Sequence, residues 1–188
     1  MLKFGSLINK LLTMKYIETE FKDLIILKNR YFPDERGYLA KYFYSDFFER
    51  LSFKVDDIYT TTSHRNVIRG LHHQKAPYGQ AKLVSCLSGS FVDVSVDLRE
   101  GSQTFGKVFS YKLDAGVNDA LLIPAGFSHG TLSLEDNTTM LSICSGRYLP
   151  EHEAGIDMKS INLPFDTSLA VSSIKDSALP NHMSVINS

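Results

Sequence analysis

The alternation of apolar and polar residues is clearest between Phe91 and Leu98. In an extended chain the four aliphatic residues of this segment fall on one face and the three polar residues fall on the other. The aliphatic face consists of Val92, Val94, Val96 and Leu98, and the polar face consists of Asp93, Ser95 and Asp97. This period of two predicts a β-strand whose two faces meet different surroundings.

Further short β-type segments follow one another from residue 55 onward. We predict strands at residues 58–63, 67–74, 82–87, 107–113, 120–123, 131–134 and 138–144. Turn compositions separate many of them, namely Ser88-Gly89-Ser90, Asp114-Ala115-Gly116, Pro124-Ala125-Gly126 and Glu135-Asp136-Asn137. Eight or more short strands with few short helices indicate an all-β fold, an antiparallel jelly roll built as a sandwich or barrel.

The first part of the chain predicts a hairpin followed by a short helix. Leu24–Phe32 is rich in β-forming residues, and Tyr38–Tyr44 follows the turn Pro33–Gly37. Proline pre-sets φ in such a turn and glycine supplies the positive φ. Ser45 is then a predicted N-cap for one or two helical turns that end at Leu51.

Three regions of the chain are predicted to differ in role. Residues 1–13 are an extension ahead of a possible internal start at Met14, because Gly5, Ser6, Asn9 and Lys10 interrupt what resembles a weak signal peptide. Residues 14–165 form the domain. Residues 166–188 are a polar tail that either packs as a short helix near 173–178 or frays.

Composition limits the classes of partner. The chain has 188 residues, 43% hydrophobic and 22% charged, with a formal net charge of −1. These values are those of one globular domain, and they disfavour nucleic acid or a membrane as a partner. The two cysteines, Cys86 and Cys144, lie in apolar strand patterns and are predicted to be reduced core thiols. From the interpretation of residues 1–13 as an extension, we expect a cytoplasmic protein.

Titratable side chains concentrate between Asn66 and Val84. This segment carries Arg69, His72, His73, Gln74 and Lys82 on a predicted strand, a turn and a second strand. Such a concentration on a β scaffold predicts a functional site, although an ordinary strand with a surface histidine pair would also account for it.

Several motifs, spaced along most of the chain, resemble the dTDP-4-dehydrorhamnose 3,5-epimerase family. They are Phe32-Pro33-Asp34-Glu35-Arg36-Gly37, Arg69-Gly70-Leu71-His72-His73-Gln74, Lys82-Leu83-Val84, residues 93–99, residues 102–106, residues 123–130 and Glu153-Ala154-Gly155-Ile156. The resemblance implies a cupin-like jelly roll that forms a homodimer. It also implies a metal-independent and cofactor-free isomerase that epimerises a nucleotide-diphosphate 4-keto-6-deoxysugar, in the synthesis of deoxysugars and surface polysaccharides.

The resemblance assigns roles that suit this chemistry. A C4 ketone acidifies the C3 and C5 protons, so inversion needs a base, a group that stabilises the enolate and an acid on the opposite face. His72 is implied as the base, and Lys82 lies near the enolate oxygen. Arg69 would hold the diphosphate with its forked donors. Three further substrate contacts are implied or expected: Arg36, Gln74 and His129. Arg36 could instead be an ordinary turn residue, and His129 a structural histidine at a strand edge.

The chain departs from the family pattern in three places. The family's tyrosine acid falls on Ser142, which could hold a water, so Tyr148 is the predicted catalytic acid. The aspartate partner of the base has no clear match; Asp157, Ser160 and Asp93 are the candidates. In the nucleotide-reading strand, Asp57 and Tyr59 replace a Gln-x-Asn pair, which suggests a different nucleotide or sugar.

Strand geometry adds one more expectation. Strict alternation would place Arg69 and His72 on opposite faces, and a bulge at Gly70 would bring both to one pocket. Metal binding is disfavoured, because the adjacent histidines diverge and the Lys82 ammonium would repel a dication.

Four alternatives to double epimerisation stay open. They are a single-carbon epimerase acting at C3 or C5, a 3,4-ketoisomerase, a catalytically impaired sugar-nucleotide-binding cupin, and a carbohydrate-binding or assembly module that is not an enzyme.

Overall fold

The computed structural model describes residues 15–28 and 31–187, so the predicted extension at 1–13 lies outside the described residues. The strands are β1 (Lys15–Glu18), β2 (Ile25–Lys28), β3 (Tyr31–Asp34), β4 (Gly37–Ala40), β5 (Asp57–Ser63), β6 (Ile68–Gln74), β7 (Ala81–Ser88), β8 (Ser90–Asp97), β9 (Val108–Asp114), β10 (Ala120–Ile123), β11 (Phe127–Ser133), β12 (Thr138–Ser145) and β13 (Glu153–Gly155). The helices are α1 (Ser45–Arg50), α2 (Ile174–Ser177) and α3 (His182–Ile186), and 3₁₀ turns lie at Pro150–His152 and Met158–Ser160.

Two antiparallel sheets form the body of the protein. The six-stranded sheet has the order β1-β2-β10-β7-β12-β5, and the five-stranded sheet has the order β13-β6-β11-β8-β9. Within the part of the chain that the structure describes, β3 and β4 pair only with each other, as a separate hairpin. This is the antiparallel jelly roll that the strand pattern predicts, of the cupin-like type that the resemblance implies, and the few short helices agree with it.

Three apolar layers hold the sheets in place. Side chains of both sheets meet between them, including Val84 and Leu121 from one sheet and Phe91 and Phe127 from the other. The aliphatic face of β8 packs outward, against the segment that contains Ile156, Met158 and Ala170. The outer face of the six-stranded sheet is covered by aromatic residues of α1 and its flanks, among them Phe48 and Phe53. Each face of each sheet is therefore largely buried.

The polar face of β8 is also buried, because it points between the two sheets. Asp93, Ser95 and Asp97 have no solvent exposure. Asp97 accepts hydrogen bonds from Arg99, Ser102 and Thr104, which hold the pKa of its carboxyl far below the usual range despite its burial. The alternation in the sequence thus separates the aliphatic face of β8, which packs outward, from its polar face, which lies buried between the two sheets.

The pairing of β6 with β11 is interrupted at Gly70. His72 pairs with His129 and Arg69 pairs with Thr131, so three steps on one strand match two on the other. A Cβ at Gly70 would lie 2.9 Å from the Gly130 Cα, and the φ of Gly70 is +102°. The predicted irregularity is confirmed, and it turns Arg69 and His72 into the same cavity.

Other boundaries differ from the prediction. The segment Leu24–Phe32 contains parts of two strands, β2 and β3, with residues 29 and 30 outside the described residues. The strand β11 begins at Phe127, four residues before the predicted start, because its serines and glycine are buried and leave no polar–apolar period. The strands β1 and β13 were not predicted. No helix among residues 15–28 and 31–187 has the length and apolar content needed to cross a membrane.

Candidate active site

Two adjoining cavities open between the sheets, of about 550 Å³ and 390 Å³. Three side chains line both: Tyr59, His72 and Lys82. His72 belongs to the five-stranded sheet, whereas Tyr59 and Lys82 belong to the six-stranded sheet. We call the first side the histidine wall (Arg69, His72 and His129) and the second the lysine wall (Tyr59, Lys82 and Ser142). At the boundary between the two cavities, side chains of both walls therefore face the same space.

His72 is held by a carboxylate from the C-terminal tail. Its Nε2 lies 2.8 Å from Oδ1 of Asp176, and Oδ2 of Asp176 accepts a hydrogen bond from the Gly70 backbone N–H at 3.2 Å. Asp176 is 5% exposed. A carboxylate on one ring nitrogen fixes the orientation of an imidazole and leaves Nδ1 as the nitrogen that can take a proton.

The three sequence-based candidates for this carboxylate position are wrong. Asp93 binds His129 instead. Asp157 caps the turn at Met158–Ser160 by accepting from the Lys159 backbone N–H, and the Ser160 hydroxyl donates to the Asp157 carbonyl. Asp157 and Ser160 were chosen for their position after the Gly155-Ile156 motif and Asp93 for its strand face, but the tail folds back and brings Asp176 to His72.

A capping pattern was the signal that could have identified Asp176. Ser173-Ile174-Lys175-Asp176 matches the [ST]-x-x-[DE] sequence that begins many helices. In the structure Ser173 caps α2, with its hydroxyl accepting from the Asp176 backbone N–H at 3.0 Å. The tail also forms a parallel bridge between Val171 and Val67 beside the larger cavity. The tail therefore packs as a short helix, which is one of the two predicted alternatives. The division of the chain at residue 165 stays a prediction.

Lys82 presents an ammonium to both cavities without an ionic partner. No hydrogen bond or ion pair of its Nζ is found among the described residues, and burial lowers the pKa of the ammonium. Cys144 lies directly opposite on β12. A partly desolvated cation without a directly bound carboxylate is costly in the free protein and binds an anionic oxygen strongly.

The two arginines predicted to bind phosphate have different surroundings. Arg69 lines the larger cavity, and its guanidinium donates to the Ser63 hydroxyl at 2.9 Å and to the Thr62 carbonyl at 3.1 Å. Arg36 lies on the β3–β4 hairpin with its side chain 83% exposed, paired with Asp34 at 2.6 Å. Arg36 lines neither cavity of the single chain. The structure thus places Arg69 in the site and Arg36 outside it.

His129 sits beside His72 on the histidine wall and is 7% exposed. Its Nδ1 lies 3.1 Å from Oδ2 of Asp93, whose Oδ1 accepts from the Ser95 hydroxyl at 2.8 Å. Burial lowers the pKa of His129, and the nearby Lys82 charge acts in the same direction. His129 lines the larger cavity, as a substrate contact should, and its ring is held in place from behind.

Gln74 already uses its amide inside the protein. Its Nε2 donates to the Tyr78 carbonyl at 2.7 Å and to the Arg147 carbonyl at 3.0 Å, and its Oε1 accepts from the Leu149 backbone N–H. The geometry therefore does not favour the predicted substrate contact, and Gln74 instead joins two loops at the smaller cavity. Its neighbour His73 has a buried Nδ1 with no partner among the described residues, and burial lowers the pKa of His73 to about 4.

Tyr148 is a poor match to its predicted role as proton donor. The side chain is 51% exposed and lines only the smaller cavity. Its hydroxyl donates to Oε2 of Glu153 at 2.7 Å, which raises the pKa of the phenol, and the same oxygen accepts from Lys175 at 2.6 Å. Tyr148 therefore belongs to a polar cluster that ties the tail to β13.

The strands β5 and β12 place three predicted site residues on the lysine wall. Asp57 pairs with Cys144 and lines the smaller cavity, and Tyr59 pairs with Ser142. Ser142 has no exposure and lines neither cavity, and its Oγ has no hydrogen-bond partner in the described part of the chain. Tyr59 and Asp57 therefore face the cavities, whereas Ser142 lies beneath that surface. No group of three or more His, Cys, Asp or Glu side chains able to hold a metal ion is found among residues 15–28 and 31–187.

The comparisons with known proteins agree with this site. Residues 18–183 match the family model described as dTDP-4-dehydrorhamnose 3,5-epimerase. The chain belongs to this family. The predicted family membership and the predicted enzyme class, an isomerase of the epimerase type, are confirmed.

Individual members of the dTDP-4-dehydrorhamnose 3,5-epimerase family and its relatives match over most of their length. The Escherichia coli K12 dTDP-4-dehydrorhamnose 3,5-epimerase is 38% identical over 174 residues, 88% of this chain and 93% of the relative. A dTDP-4-dehydro-6-deoxyglucose 3-epimerase from a Streptomyces species is 36% identical, over 73% of this chain and 69% of the relative. The crystal structure of the Legionella pneumophila dTDP-6-deoxy-D-glucose-3,5-epimerase in complex with dTDP-4-keto-L-rhamnose superposes with a TM-score of 0.84 at 31% identity, covering 91% and 94% of the two chains.

Proposed function

We propose that the protein epimerises a nucleoside-diphosphate 4-keto-6-deoxyhexose by removing and replacing a proton next to the C4 ketone. The relatives named above act on, or are named for, dTDP-linked sugars of this type, and one crystal structure contains dTDP-4-keto-L-rhamnose. The substrate class is supported by two cationic side chains, Arg69 in the larger cavity and Lys82 in both, which suit an anionic diphosphate joined to a neutral sugar ring.

Each charged group has one task in this scheme. His72 removes the proton through Nδ1 while Asp176 holds Nε2 and stabilises the imidazolium that forms. Lys82 stabilises the negative charge that develops on O4 of the enolate. Arg69 holds the diphosphate in the larger cavity, with the remaining donors of its guanidinium.

The observation that carries this proposal is the position of His72 and Lys82 at the junction of the cavities. A base fixed by a buried carboxylate faces a desolvated ammonium that forms no ion pair within the described residues. Proton abstraction next to a ketone requires this pair, whereas binding alone does not require a histidine held by a carboxylate beside the ammonium.

Hydrogen exchange in deuterated water tests the proposal directly. The protein is incubated with dTDP-4-dehydro-6-deoxyglucose and with the matching UDP and GDP sugars, and deuterium at C3 and C5 is measured by NMR. We expect exchange with at least one nucleotide, and its loss in His72→Asn. Absence of exchange at both carbons with every nucleotide would contradict the enzymatic function and favour a sugar-nucleotide-binding role.

A single-carbon epimerase is the second candidate. Relatives named as 3-epimerases match this chain at 35–36% identity, and the tyrosine expected at the Ser142 position is absent. The same exchange experiment separates the two, because a single-carbon enzyme incorporates deuterium at one carbon only.

We further propose that the protein is a homodimer that acts in the cytoplasm. Tyr38 and Leu39 on the β3–β4 hairpin are 64% and 54% exposed, and Ile58 on the edge strand β5 is 59% exposed. Exposed apolar groups on a free hairpin and an edge strand favour pairing with a second copy. Light scattering coupled to size exclusion should give twice the 21.1 kDa chain mass; a monomer would contradict this proposal.

A further inference from the structure

Inversion of a carbon requires that a proton leave from one side and return from the other. The base, His72, lies on the histidine wall, so the returning proton has to come from the lysine wall. The donor must reach the same space as His72, and it must carry a proton at neutral pH. These requirements can be applied to each proton-bearing side chain around the two cavities.

Most of these side chains fail one of the requirements. His129 lies next to His72 on the same wall, and its ring is bound to Asp93. Tyr148 lines only the smaller cavity, and its hydroxyl is directed to Glu153. Ser142 lines neither cavity. Lys82 lies on the correct wall, but the developing charge on the enolate oxygen already requires its ammonium.

Tyr59 satisfies all the requirements. It lines both cavities, as His72 and Lys82 do, and it belongs to the opposite sheet from His72. The strand β5 pairs with β12, which pairs in turn with β7, so Tyr59 and Lys82 lie on one surface. Burial, with a contribution from Cys144, raises the pKa of the phenol to about 12, so it keeps its proton at neutral pH.

We propose that Tyr59 is the catalytic acid that returns the proton to the carbon on the face opposite His72. His72 takes the proton from the carbon next to the ketone, and the electron pair moves into the enolate on O4. The enolate carbon then takes the phenolic proton of Tyr59 on its other face, which leaves the tyrosinate and restores the ketone. The imidazolium releases its proton to solvent, and the tyrosinate regains one from solvent, so the net change is the configuration of one carbon.

This inference rests on the proposed epimerase function, and one experiment separates the two. Tyr59→Phe removes the hydroxyl and keeps the ring. With dTDP-4-dehydro-6-deoxyglucose in deuterated water, the base still removes the proton and returns deuterium to the same face. Exchange should therefore stay within about fivefold of the original protein, whereas the inverted product, trapped by borohydride reduction, should fall by about 10²-fold.

The matched variants are Tyr148→Phe and Tyr38→Phe, which remove hydroxyls outside the proposed role. Both should keep the original ratio of inversion to exchange. Equal losses of exchange and inversion in Tyr59→Phe would overturn the proposal, because they indicate a structural role. Uncoupling in Tyr148→Phe instead would assign the acid to Tyr148. If the original protein shows no exchange with the dTDP sugar or with the matching UDP and GDP sugars, the proposed epimerase function itself fails.

Discussion

The two walls of the site differ in how closely they follow the family pattern. The histidine wall keeps the residues that the resemblance implies, and its Arg69, His72 and His129 all line the larger cavity. On the lysine wall only Lys82 is kept. Tyr59 on β5 and Ser142 on β12 are cross-strand partners. The resemblance implies an asparagine in place of Tyr59 and a tyrosine in place of Ser142.

The two positions differ from the family pattern in opposite directions, with a larger side chain at residue 59 and a smaller one at residue 142. Tyr59 and Ser142 are direct cross-strand partners, so a large residue at one position uses the space beside the other. A phenol is present in both arrangements, but on different strands. The lysine wall can therefore present a phenol to the cavity although the position expected to carry it holds a serine.

The largest effect is expected from the lysine wall, in Lys82→Met. Loss of the ammonium at the enolate oxygen should lower the exchange rate by about 10²–10³-fold. The same variant should be more stable than the original protein, by about 1 kcal/mol or 2–4 °C in Tm, because a desolvated cation is removed. Lys107→Met, at an exposed lysine outside both cavities, is the control and should change neither quantity.

The stability gain of Lys82→Met should depend on pH with a defined sign. Burial lowers the pKa of Lys82 in the folded protein below its ordinary value of 10.5, so the unfolded chain holds this proton more tightly. The original protein therefore gains stability as pH rises between these two pKa values. Thermal melts across pH 7–10.5 should show the advantage of the variant shrinking; a constant or growing advantage would contradict this account of Lys82.

A smaller loss is expected on the histidine wall, in Asp176→Asn. An amide can still accept from the Gly70 N–H, but it does not stabilise the imidazolium, so exchange should fall by about 10–10²-fold. Asp157→Asn is the matched change in the same region and affects only the cap of a 3₁₀ turn. Initial exchange rates at saturating substrate compare the two. Equal rates in both variants would remove Asp176 from the site.

The reciprocal size change across β5 and β12 can be tested by a double-mutant cycle. Ser142→Tyr alone, which the resemblance suggests as a gain of activity, adds a ring at a position with no exposure and should destabilise the fold by about 1–3 kcal/mol. Adding Tyr59→Asn should recover most of that loss and move the phenol to β12. Urea unfolding of the four proteins measures the coupling; additive effects would show that the two positions are independent.

The smallest effect is expected for Arg36→Gln. The side chain is exposed and paired only with Asp34 on the same hairpin. We expect an unchanged Tm and a KM within about twofold, since exposed ion pairs contribute little. A much higher KM would show that the hairpin reaches the site of another copy of the chain, and would extend the substrate contacts beyond one protomer.

Much of the fold could be predicted because its signals are local. The period of two in β8 and the turn compositions each specify an element from a few neighbouring residues. The predicted Ser45 cap is wrong, because α1 begins at Ser45 and its N-cap is Tyr44, which makes no side-chain capping bond. Prediction was weaker where both sides of a strand are buried, as at Phe127–Ser133, because burial on both faces removes the polar–apolar contrast.

The site was predicted to the extent that its residues lie in one motif. His72, Lys82 and Arg69 come from a single stretch, and the glycine between Arg69 and His72 indicated how both reach one cavity. Asp176 was not predicted, since its sequence separation from His72 is 104 residues and only folding of the tail brings them together. The role of Tyr59 depends on cross-strand register, which a sequence alone does not specify.

The docking of the tail also determines the order in which activity and the folded sheets are lost on heating. Short peripheral elements open locally at lower free energy than the sheets that carry them, and α2 has only four residues. Because Asp176 is on α2, detachment of this element inactivates the base while both sheets stay intact. Residual activity should therefore decline at temperatures below the cooperative melt. Residues 171–173, 175 and 176 line the larger cavity, so substrate bound there should narrow that interval and slow amide exchange in residues 171–177.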